Sequence, residues 1–370
     1  MSDSLYWLGF SMIPHVGAYR LPALWRAFGD LQTAWEAAPE SLYLAGFTGL
    51  ALAAIAAHRP HIDLEQAARR VERANARIIT MADASYPRRL AALSGAPGLF
   101  YARGALPNSD APALAIVGTR SATPDGVEAA RQIAGELAAR GVVTVSGLAE
   151  GIDAAAHEGA LAVGGRSIAV LANGIDVVYP RQHREFAERI AARGALVTEF
   201  PLGARPLKSS FPRRSRTLSG WANGVLIVEA PIKSGALYTA NAAREQQRPI
   251  FVLDALMRRA LPNSDGLRSF AEAGAHIVNG ANDILAALGG APQPPQPVTP
   301  PENFAPIAFA RALDPNEQLL LDLLGREPQH TDDLAQRMGI SPLTILGIIT
   351  TLEIEGLIEP VGYSKYRRVD

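Results

Sequence analysis

The sequence predicts an α/β protein with three parts: a central parallel sheet covered by helices on both faces, a helical domain before it and a winged-helix domain after it. Short runs rich in Val, Ile and Leu recur from residue 113 onward, and amphipathic stretches separate them. Apolar strands that alternate with helices are typical of a buried parallel sheet. A proline-rich segment near residue 300 predicts a linker between the sheet and the C-terminal domain.

The composition restricts the classes of site that the chain can carry. The 370 residues include 35 Lys and Arg, 36 Asp and Glu, and no cysteine. The length predicts two or three domains, and the lack of cysteine excludes disulfides, thiolate metal sites and cysteine nucleophiles. The N-terminus lacks a basic signal-peptide region, and the longest apolar stretch, Leu42 to Ala57, is too short to span a bilayer. We expect a cytoplasmic protein without membrane contact, metal or cofactor.

The first domain is predicted at residues 1–76. Gly- and Pro-containing turns separate its candidate helices, which are Leu5–Phe10, Ala18–Phe28, Leu31–Ala37, Leu50–Ala57 and Leu64–Ala76. Such a bundle is SAM-like or helix-hairpin-like. Exposed turn amides would let it bind a nucleic-acid backbone. Packing alone is the other interpretation, and the sequence leaves both open.

The second domain is predicted at residues 77–287 as a Rossmann-like, doubly wound sheet. The candidate strands are Leu114–Val117, Val142–Val145, Ser167–Leu171, Leu196–Thr198, Val225–Val228 and Ile250–Leu253. Thr123 and Pro124 provide a helix-start signal for a helix over Gly126–Arg140. Ligands of such sheets bind beyond the carboxyl ends of the strands.

A linker at residues 288–312 and a winged-helix domain at residues 313–370 complete the chain. The predicted elements are helices over Pro315–Leu324, Thr331–Met338 and Pro342–Glu355, followed by strands over Leu357–Val361 and Lys365–Val369. The third helix carries almost no basic residue, whereas a DNA-reading helix normally has Arg, Lys, Asn or Gln on its surface. Protein contact and nucleic-acid contact both remain open for this domain.

The first two loops after strands suit an anion. Gly118, Thr119 and Arg120 place a glycine, a hydroxyl and a cation before a helix. The pattern is not GxGxxG, so NAD is not expected. In the second loop Ser146 and Gly147 precede Asp153 and His157, which share a helix face. A Ser–His–Asp catalytic set is disfavoured there because Thr144 replaces the glycine of a nucleophile elbow.

The third and fourth loops add positive charge. No acid occurs between Glu199 and Glu229, and five bases do: Arg205, Lys208, Arg213, Arg214 and Arg216. Cations without counter-ions beside Phe211 predict a phosphodiester track with an aromatic ring for stacking. The fourth loop places Ser234 and Gly235 before a helix that contains Thr239, and its amides are expected to be free.

Together these loops resemble the DprA/Smf family of bacterial DNA-processing proteins. The matching strings, in chain order, are IVGTR at Ile116–Arg120, SGLAEGIDAAAHEGAL at Ser146–Leu161, IAVLANGIDVVYP at Ile168–Pro180, TEFPLG at Thr198–Gly203, FPRRSR at Phe211–Arg216 and VEAPIKSGALYTANAA at Val228–Ala243. The helical N-terminal region and the winged-helix tail also resemble the arrangement in many members.

The resemblance implies a non-enzymatic protein of recombination and natural transformation that binds and protects single-stranded DNA and loads the RecA recombinase. It also implies a homodimer formed through the Rossmann-like domain. The residues expected to contact phosphate are Arg120, Lys208, Arg214, Arg216, Gly118, Ser146, Gly147, Ser234 and Gly235. Those expected to support them are Thr119, Asp153, His157, Phe211, Arg213, Ser215, Glu229 and Thr239.

The sequence departs from the family pattern at several positions. Ser215 and His183 replace asparagines, and Arg268 replaces another in the segment where dimer and recombinase contacts cluster. Those contacts are therefore not carried over residue by residue. The alternative function is a Rossmann-like nucleotide phosphoribohydrolase of the lysine-decarboxylase-like kind, but the turn at Ser234 lacks that motif's second glycine and Glu245 comes too late to be its acid. A transcription regulator led by the winged helix is a third hypothesis.

Overall fold

The computed structural model describes residues 3–258, 263–289, 313–325, 327–340, 344–345, 348–349, 352, 357–361 and 365–368. The chain divides into two units, one made of residues 1–68 and 299–370 and the other of residues 69–298. Within the described residues no helix is both long and apolar enough to cross a membrane.

The N-terminal part is a helical bundle. Its helices are α1 Ser4–Ser11, α2 Gly17–Phe28, α3 Leu31–Glu36, α4 Pro39–Leu44, α5 Gly49–His58 and α6 Leu64–Arg73, with a 3₁₀ turn at Arg59–His61. The five predicted helices are confirmed, and α4 is an additional short one. Fully buried Trp7, Phe10 and Leu21 form the core of the bundle. The side chain of Asp30 caps α3 by accepting from the Thr33 amide at 2.7 Å.

The larger unit is built on one nine-stranded sheet. Its strands are β1 Arg77–Thr80, β2 Leu99–Gly104, β3 Ala113–Val117, β4 Val143–Ser146, β5 Ser167–Val170, β6 Ala195–Thr198, β7 Gly224–Ile227, β8 Ile250–Leu253 and β9 His276–Val278. The order is β1-β2-β6-β5-β4-β3-β7-β8-β9. Strands β3 to β9 run parallel, whereas β2 pairs antiparallel with β6 and β1.

Helices flank the strands of this sheet. Between the antiparallel strands β1 and β2 lies α7 Arg88–Ala91, and after β9 comes α15 Ala281–Ala287. The helices that connect the parallel strands are α8 Pro124–Ala138, α9 Ile152–Ala162, α10 Arg184–Arg193, α11 Ser210–Gly220, α12 Ala236–Glu245, α13 Asp254–Met257 and α14 Asp265–Glu272. Thr123 caps α8 by accepting from the Gly126 amide at 3.1 Å. The chain moves from β3 to one side through β6 and then returns to β7 on the other side. The loops around β3 therefore lie where a doubly wound sheet binds ligands.

The sequence prediction of an α/β fold with a mostly parallel sheet is confirmed, including all six predicted strands. Three strands were not predicted. Strands β1 and β9 are edge strands with exposed residues, so they lack the continuous apolar run of a central strand. Strand β2 is buried and was still not predicted, because its antiparallel pairing with β6 joins residues that are far apart in the sequence.

The C-terminal domain contains α16 Pro315–Leu323, β10 Gln329–His330, α17 Thr331–Met338, β11 Ile358–Pro360 and β12 Lys365–Arg368. Asp314 and Glu317 form a capping box at the start of α16. The strands form an antiparallel sheet in the order β10-β12-β11. Most of the predicted third helix, at residues 342–355, and the linker from residue 290 to 312 lie outside the described residues.

Candidate nucleic-acid interface

The carboxyl ends of β3, β4 and β5 meet the start of α11 around a shallow pocket, which we call the Arg120 pocket. It is lined by Arg120, Gly147, Ala149, Glu150, Ala172, Asn173, Tyr179, Pro180, Phe211 and Arg214. Four of these residues were predicted site residues: Arg120, Gly147, Phe211 and Arg214. The fold thus joins the first loop, the second loop and the FPRRSR motif, which are far apart in the sequence.

Arg120 is the accessible cation of this pocket. Its side chain is exposed, and within the described part of the chain no carboxylate pairs with it. Its Cζ atom lies 5.5 Å from the centroid of the Phe211 ring. A guanidinium at this distance is attracted by the negative face of the ring. Phe211 therefore orients Arg120 while leaving its N–H groups available to an anion.

Arg214 has a different environment from Arg120. It is only 9% exposed, and its Nη1 donates to the carbonyl oxygens of Gly147 at 2.9 Å and Val170 at 3.1 Å. Burial lowers the pKa of Arg214, although the charge of Asp153 opposes the shift. Arg214 therefore links α11 to the ends of β4 and β5, and its positive charge lines the buried side of the pocket.

The buried carboxylate of Asp153 fixes the second loop through hydrogen bonds to backbone amides. Its Oδ2 accepts from the amides of Gly147 at 3.2 Å and Ala149 at 3.4 Å. Burial raises the pKa of Asp153, while the charge of Arg214 and these hydrogen bonds act in the opposite direction. A Cβ atom on Gly147 would lie 1.8 Å from Arg214 Nη1 and 2.7 Å from Asp153 Oδ2. Only glycine fits between the two charged groups.

Ser146 and His157 make hydrogen bonds that do not form a catalytic triad. Ser146 Oγ donates to the Ile116 carbonyl at 2.6 Å, and His157 Nδ1 is 2.6 Å from Ser167 Oγ. Ser167 Oγ itself donates to the Thr144 carbonyl, so it accepts from His157. Burial lowers the pKa of His157 to about 3, so the ring is neutral at neutral pH. Ser146 therefore joins β4 to β3, and His157 joins α9 to β5.

Glu229 anchors the first loop. The carboxylate is fully buried at the N-terminus of α8, and its Oε2 accepts from the Thr123 amide at 2.9 Å and Asn263 Nδ2 at 3.2 Å. The Glu229 carbonyl also accepts from the Thr119 amide at 2.7 Å. An internal carboxylate thus occupies the place at which the first helix of many nucleotide-binding folds receives a phosphate. Glu229 holds the loop that carries Arg120.

The expectation of five cations without counter-ions is wrong, because Arg213 and Arg216 have acidic partners. Arg213 Nη2 lies 3.8 Å from Glu199 Oε2, and Arg216 pairs with Glu245 on α12. Arg205 and Lys208 are exposed on the loop that precedes α11. Both acidic partners lie outside the acid-free stretch of sequence, so the count of charges along the chain did not include them. Ser215 is buried in the same helix and is only 2% exposed.

The fourth loop lies at the same edge of the sheet. Ser234 Oγ accepts from the Ala236 amide at 3.3 Å, and a Cβ on Gly235 would meet nothing within 4 Å. The start of α12 at Gly235 has no side-chain cap. Thr239 is only 2% exposed and lies inside the unit. Ser234 and Gly235 are therefore accessible, and Thr239 is a packing residue.

The sequence interpretation missed several residues that build the site. Asn173, Tyr179 and Pro180 line the pocket from the segment after β5. His183 Nδ1 donates to the Leu148 carbonyl at 3.0 Å and so holds the second loop from the other side. The string at Ile168–Pro180 could have located the pocket residues Asn173, Tyr179 and Pro180, because its polar end follows a buried strand.

Comparisons with known proteins indicate the same family for the Rossmann-like domain and for the C-terminal domain. A family model described as DNA recombination-mediator protein A matches residues 77–289, and one described as DprA winged helix domain matches residues 304–362. Protein Smf of a Synechocystis species is 32% identical over 411 aligned positions, which cover 99% of each chain.

Two solved structures extend the comparison. The X-ray structure of DNA processing protein A from Streptococcus pneumoniae has a TM-score of 0.66 and 28% identity, covering 77% of this chain and 98% of that one. DNA processing protein A from Helicobacter pylori, described for its single-stranded DNA binding mode, has a TM-score of 0.51 and 31% identity. The match covers 57% of this chain and 95% of the Helicobacter chain.

Proposed function

Because the chain belongs to the DprA/Smf family of DNA-processing proteins, we propose that it binds single-stranded DNA at the Arg120 pocket. In this proposal it acts as a recombination mediator that protects the strand and loads the RecA recombinase, in recombination and natural transformation. The observation that carries the proposal is the exposed Arg120 guanidinium, oriented by Phe211 beside a pocket at the ligand-binding edge of the sheet. The single-strand binding described for the Helicobacter relative supports the same choice.

The proposed contacts divide into two groups. Arg120 and Lys208 contact phosphates directly, and the Ser234 hydroxyl and the backbone of Gly235 and Gly118 offer further contacts. The Ser234 amide already donates to the Pro231 carbonyl at 2.8 Å. Arg214, Gly147, Ser146, Asp153 and Glu229 hold the loops in position from inside the fold. Arg216 contributes less than Arg120 because Glu245 already neutralises its charge.

We propose a role without catalysis. The groups that resemble a catalytic set, Ser146 and His157, hydrogen-bond to Ile116 and Ser167 rather than to each other. Glu245, the first acidic residue after the turn at which the alternative phosphoribohydrolase motif would lie, pairs with Arg216. Neither arrangement presents an activated nucleophile or a poised acid to the pocket.

The partners we propose are RecA and a second copy of this chain, bound through the Rossmann-like domain in the cytoplasm. Membership of the family supports both proposals. The assay for loading is RecA filament growth on single strands already coated with a single-strand-binding protein. Growth should be faster with this protein than without it. Light scattering during gel filtration should give the mass of a dimer, and a monomer mass at all concentrations would refute the dimer.

Fluorescence anisotropy with labelled oligothymidylate tests the DNA-binding proposal. If about three to five phosphates are neutralised, log K should fall with log salt at a slope of about −2 to −3.5. Arg120→Ala should weaken binding about tenfold, since it removes a charged hydrogen-bond donor, and should reduce the slope by about 0.7. Arg216→Ala makes the same change of charge and is the matched control, with an effect of about twofold or less because Arg216 is already paired. Salt-independent binding, or full affinity in an Arg120→Ala/Lys208→Ala variant, would overturn the proposal.

A further inference from the structure

A second pocket, which we call the Arg89 pocket, lies at the opposite edge of the sheet from the Arg120 pocket. Ala113, Val143 and Ile168, at or next to the amino ends of β3, β4 and β5, line it together with Arg89 and Trp221. Strand β3 has five residues, so about 13 Å of strand separates the two edges. The volume of the Arg89 pocket is about 270 Å³ when the open mouth is counted, which is just below the usual range of small-molecule sites. The pocket therefore suits a compact ligand.

Two buried side chains of this pocket have unused hydrogen-bond donors. Arg89 is only 6% exposed and Trp221 only 4%. Arg89 donates through Nη1 to the Trp221 carbonyl at 3.1 Å and through Nη2 to the Ala111 carbonyl at 2.6 Å. Among the residues that the structure describes, Arg89 Nε and the indole Nε1 of Trp221 have no hydrogen-bond partner. Buried donors without an acceptor are costly, so we expect a ligand with acceptor atoms beside them.

The positive charge around this pocket exceeds the negative charge. Arg248, which is partly buried, donates through Nη2 to the carbonyls of Arg89 at 2.8 Å and Gly220 at 3.3 Å. Burial lowers the pKa of Arg248 to about 10, and the charge of Arg89 acts in the same direction. In the described ranges of the chain, neither Arg89 nor Arg248 forms an ion pair with a carboxylate. Asp110 is the acid whose charge acts on Arg89, but its Oδ2 lies 3.4 Å from Arg88 Nη1. One carboxylate thus serves three guanidinium groups, whereas buried charges in proteins are normally paired.

We propose that the Arg89 pocket binds a compact oxyanion, of the size of inorganic phosphate or acetate, that accepts from Arg89 and Trp221. The anion is the missing counter-ion of the arginine cluster. Its several oxygen atoms match the fork of N–H groups on a guanidinium, of which Arg89 uses only two for carbonyls. Asn108 also lines the pocket, and its Oδ1 accepts from Ser109 Oγ at 3.4 Å and the Asp110 amide at 3.3 Å, so its amino group is left to donate. The inference does not depend on the proposed DNA binding.

Proton–nitrogen NMR of the full chain tests this inference, because the indole N–H of Trp221 is a reporter in the pocket. The sequence has four tryptophans, and the other three lie in the N-terminal bundle, so the indole signal that is lost in Trp221→Phe assigns Trp221. Inorganic phosphate and acetate are titrated separately, with chloride keeping the ionic strength constant. The Trp221 signal should shift and saturate with at least one of these anions.

Two lysine variants show whether Arg89 binds the anion. Arg89→Lys keeps the charge but loses the planar fork, so it should weaken the anion affinity about tenfold. Arg131→Lys makes the same change on α8, where Arg131 pairs with Glu128 and Glu158 outside the pocket, and should leave the affinity unchanged. Trp221→Phe is a second test that keeps the aromatic contact with Phe100 and removes only the indole donor. The rise in melting temperature caused by phosphate over chloride should be smaller in Trp221→Phe than in the wild type.

The outcomes separate this site from the Arg120 pocket, which phosphate would also reach. In Arg120→Ala the shift of the Trp221 signal should persist with unchanged affinity, and its loss would overturn the inference. A shift that Arg89→Lys leaves as it is in the wild type, or an equal rise in melting temperature in Trp221→Phe, also overturns it. If neither anion moves the Trp221 signal, water occupies the pocket and the inference fails. Saturation by either anion supports it, and the ratio of the two affinities distinguishes a phosphate from a carboxylate ligand.

Discussion

Replacing Gly147 by alanine adds one methyl group at the point where the second loop, α9 and α11 meet. The added carbon would lie 1.8 Å from Arg214 Nη1, 2.6 Å from Arg214 Cζ and 2.7 Å from Asp153 Oδ2. The guanidinium would have to withdraw from the Gly147 and Val170 carbonyls, to which it donates at 2.9 and 3.1 Å. Overpacking costs about 1–3 kcal/mol, and leaving a buried charged donor without its acceptors costs at least about 1–3 kcal/mol more. We expect Gly147→Ala to lower the free energy of unfolding of the large unit by about 3–5 kcal/mol.

Urea titrations read by hydrogen exchange of peptides from β4 and β5 measure this change in the full chain. Gly235→Ala is the matched control, because nothing lies within 4 Å of its added carbon, and it should change the free energy by about 1 kcal/mol or less. Combining Gly147→Ala with Arg214→Met should cost less than the sum of the two by about 1–3 kcal/mol, since methionine relieves the clash. If Gly147→Ala costs no more than Gly235→Ala, the packing of Gly147 between Arg214 and Asp153 is refuted.

Two further predictions concern buried groups that hold the loops. The folded-state pKa of His157 is about 3, below its ordinary value of 6.5, so its stabilising effect is complete above pH 6.5 and is lost as the pH falls towards 3. Between about pH 7.5 and 5.5 this loss should be about 1.4 kcal/mol in urea titrations, and His157→Gln should remove that part of the pH dependence; an unchanged pH profile in the variant would contradict the assignment. Glu229→Gln places an amide where the carboxylate accepts from the Thr123 amide and Asn263, so it should cost about 1–3 kcal/mol and increase hydrogen exchange at residues 119–126. Unchanged exchange there would show that Glu229 does not hold the first loop.

Much of the architecture could be predicted from apolar patterning. A central strand such as β3 or β7 is buried on both faces, so nearly all of its residues are apolar and the pattern is distinct. Edge strands β1 and β9 keep exposed residues, and their pattern resembles that of a loop. The start of α8 was equally readable, because capping by Thr123 depends on residues within one turn.

The candidate site was predictable only in part. The loops after β3, β4, β6 and β7 could be located, since the carboxyl ends of parallel strands share one edge of the sheet. The distribution of the arginines among partners could not. Successive helical residues point about 100° apart, so Arg213, Arg214 and Arg216 of α11 face different neighbours. Glu199 and Glu245 neutralise two of them, and carbonyls of β5 and the second loop bind the third.

The sequence alone determined the fold class, the family and the segments that reach the ligand-binding edge, because these depend on apolar periodicity and on strings of neighbouring residues. The boundaries predicted for the domains and the contacts with DNA, RecA and a second copy remain predictions. Only the tertiary structure decided which basic residues are exposed. It also decided that Gly147 separates two buried charges and that Glu150 shares a pocket with Asn173 and Arg120. The physical reason is that burial and charge pairing depend on distances between residues far apart in the chain, and those distances exist only after folding.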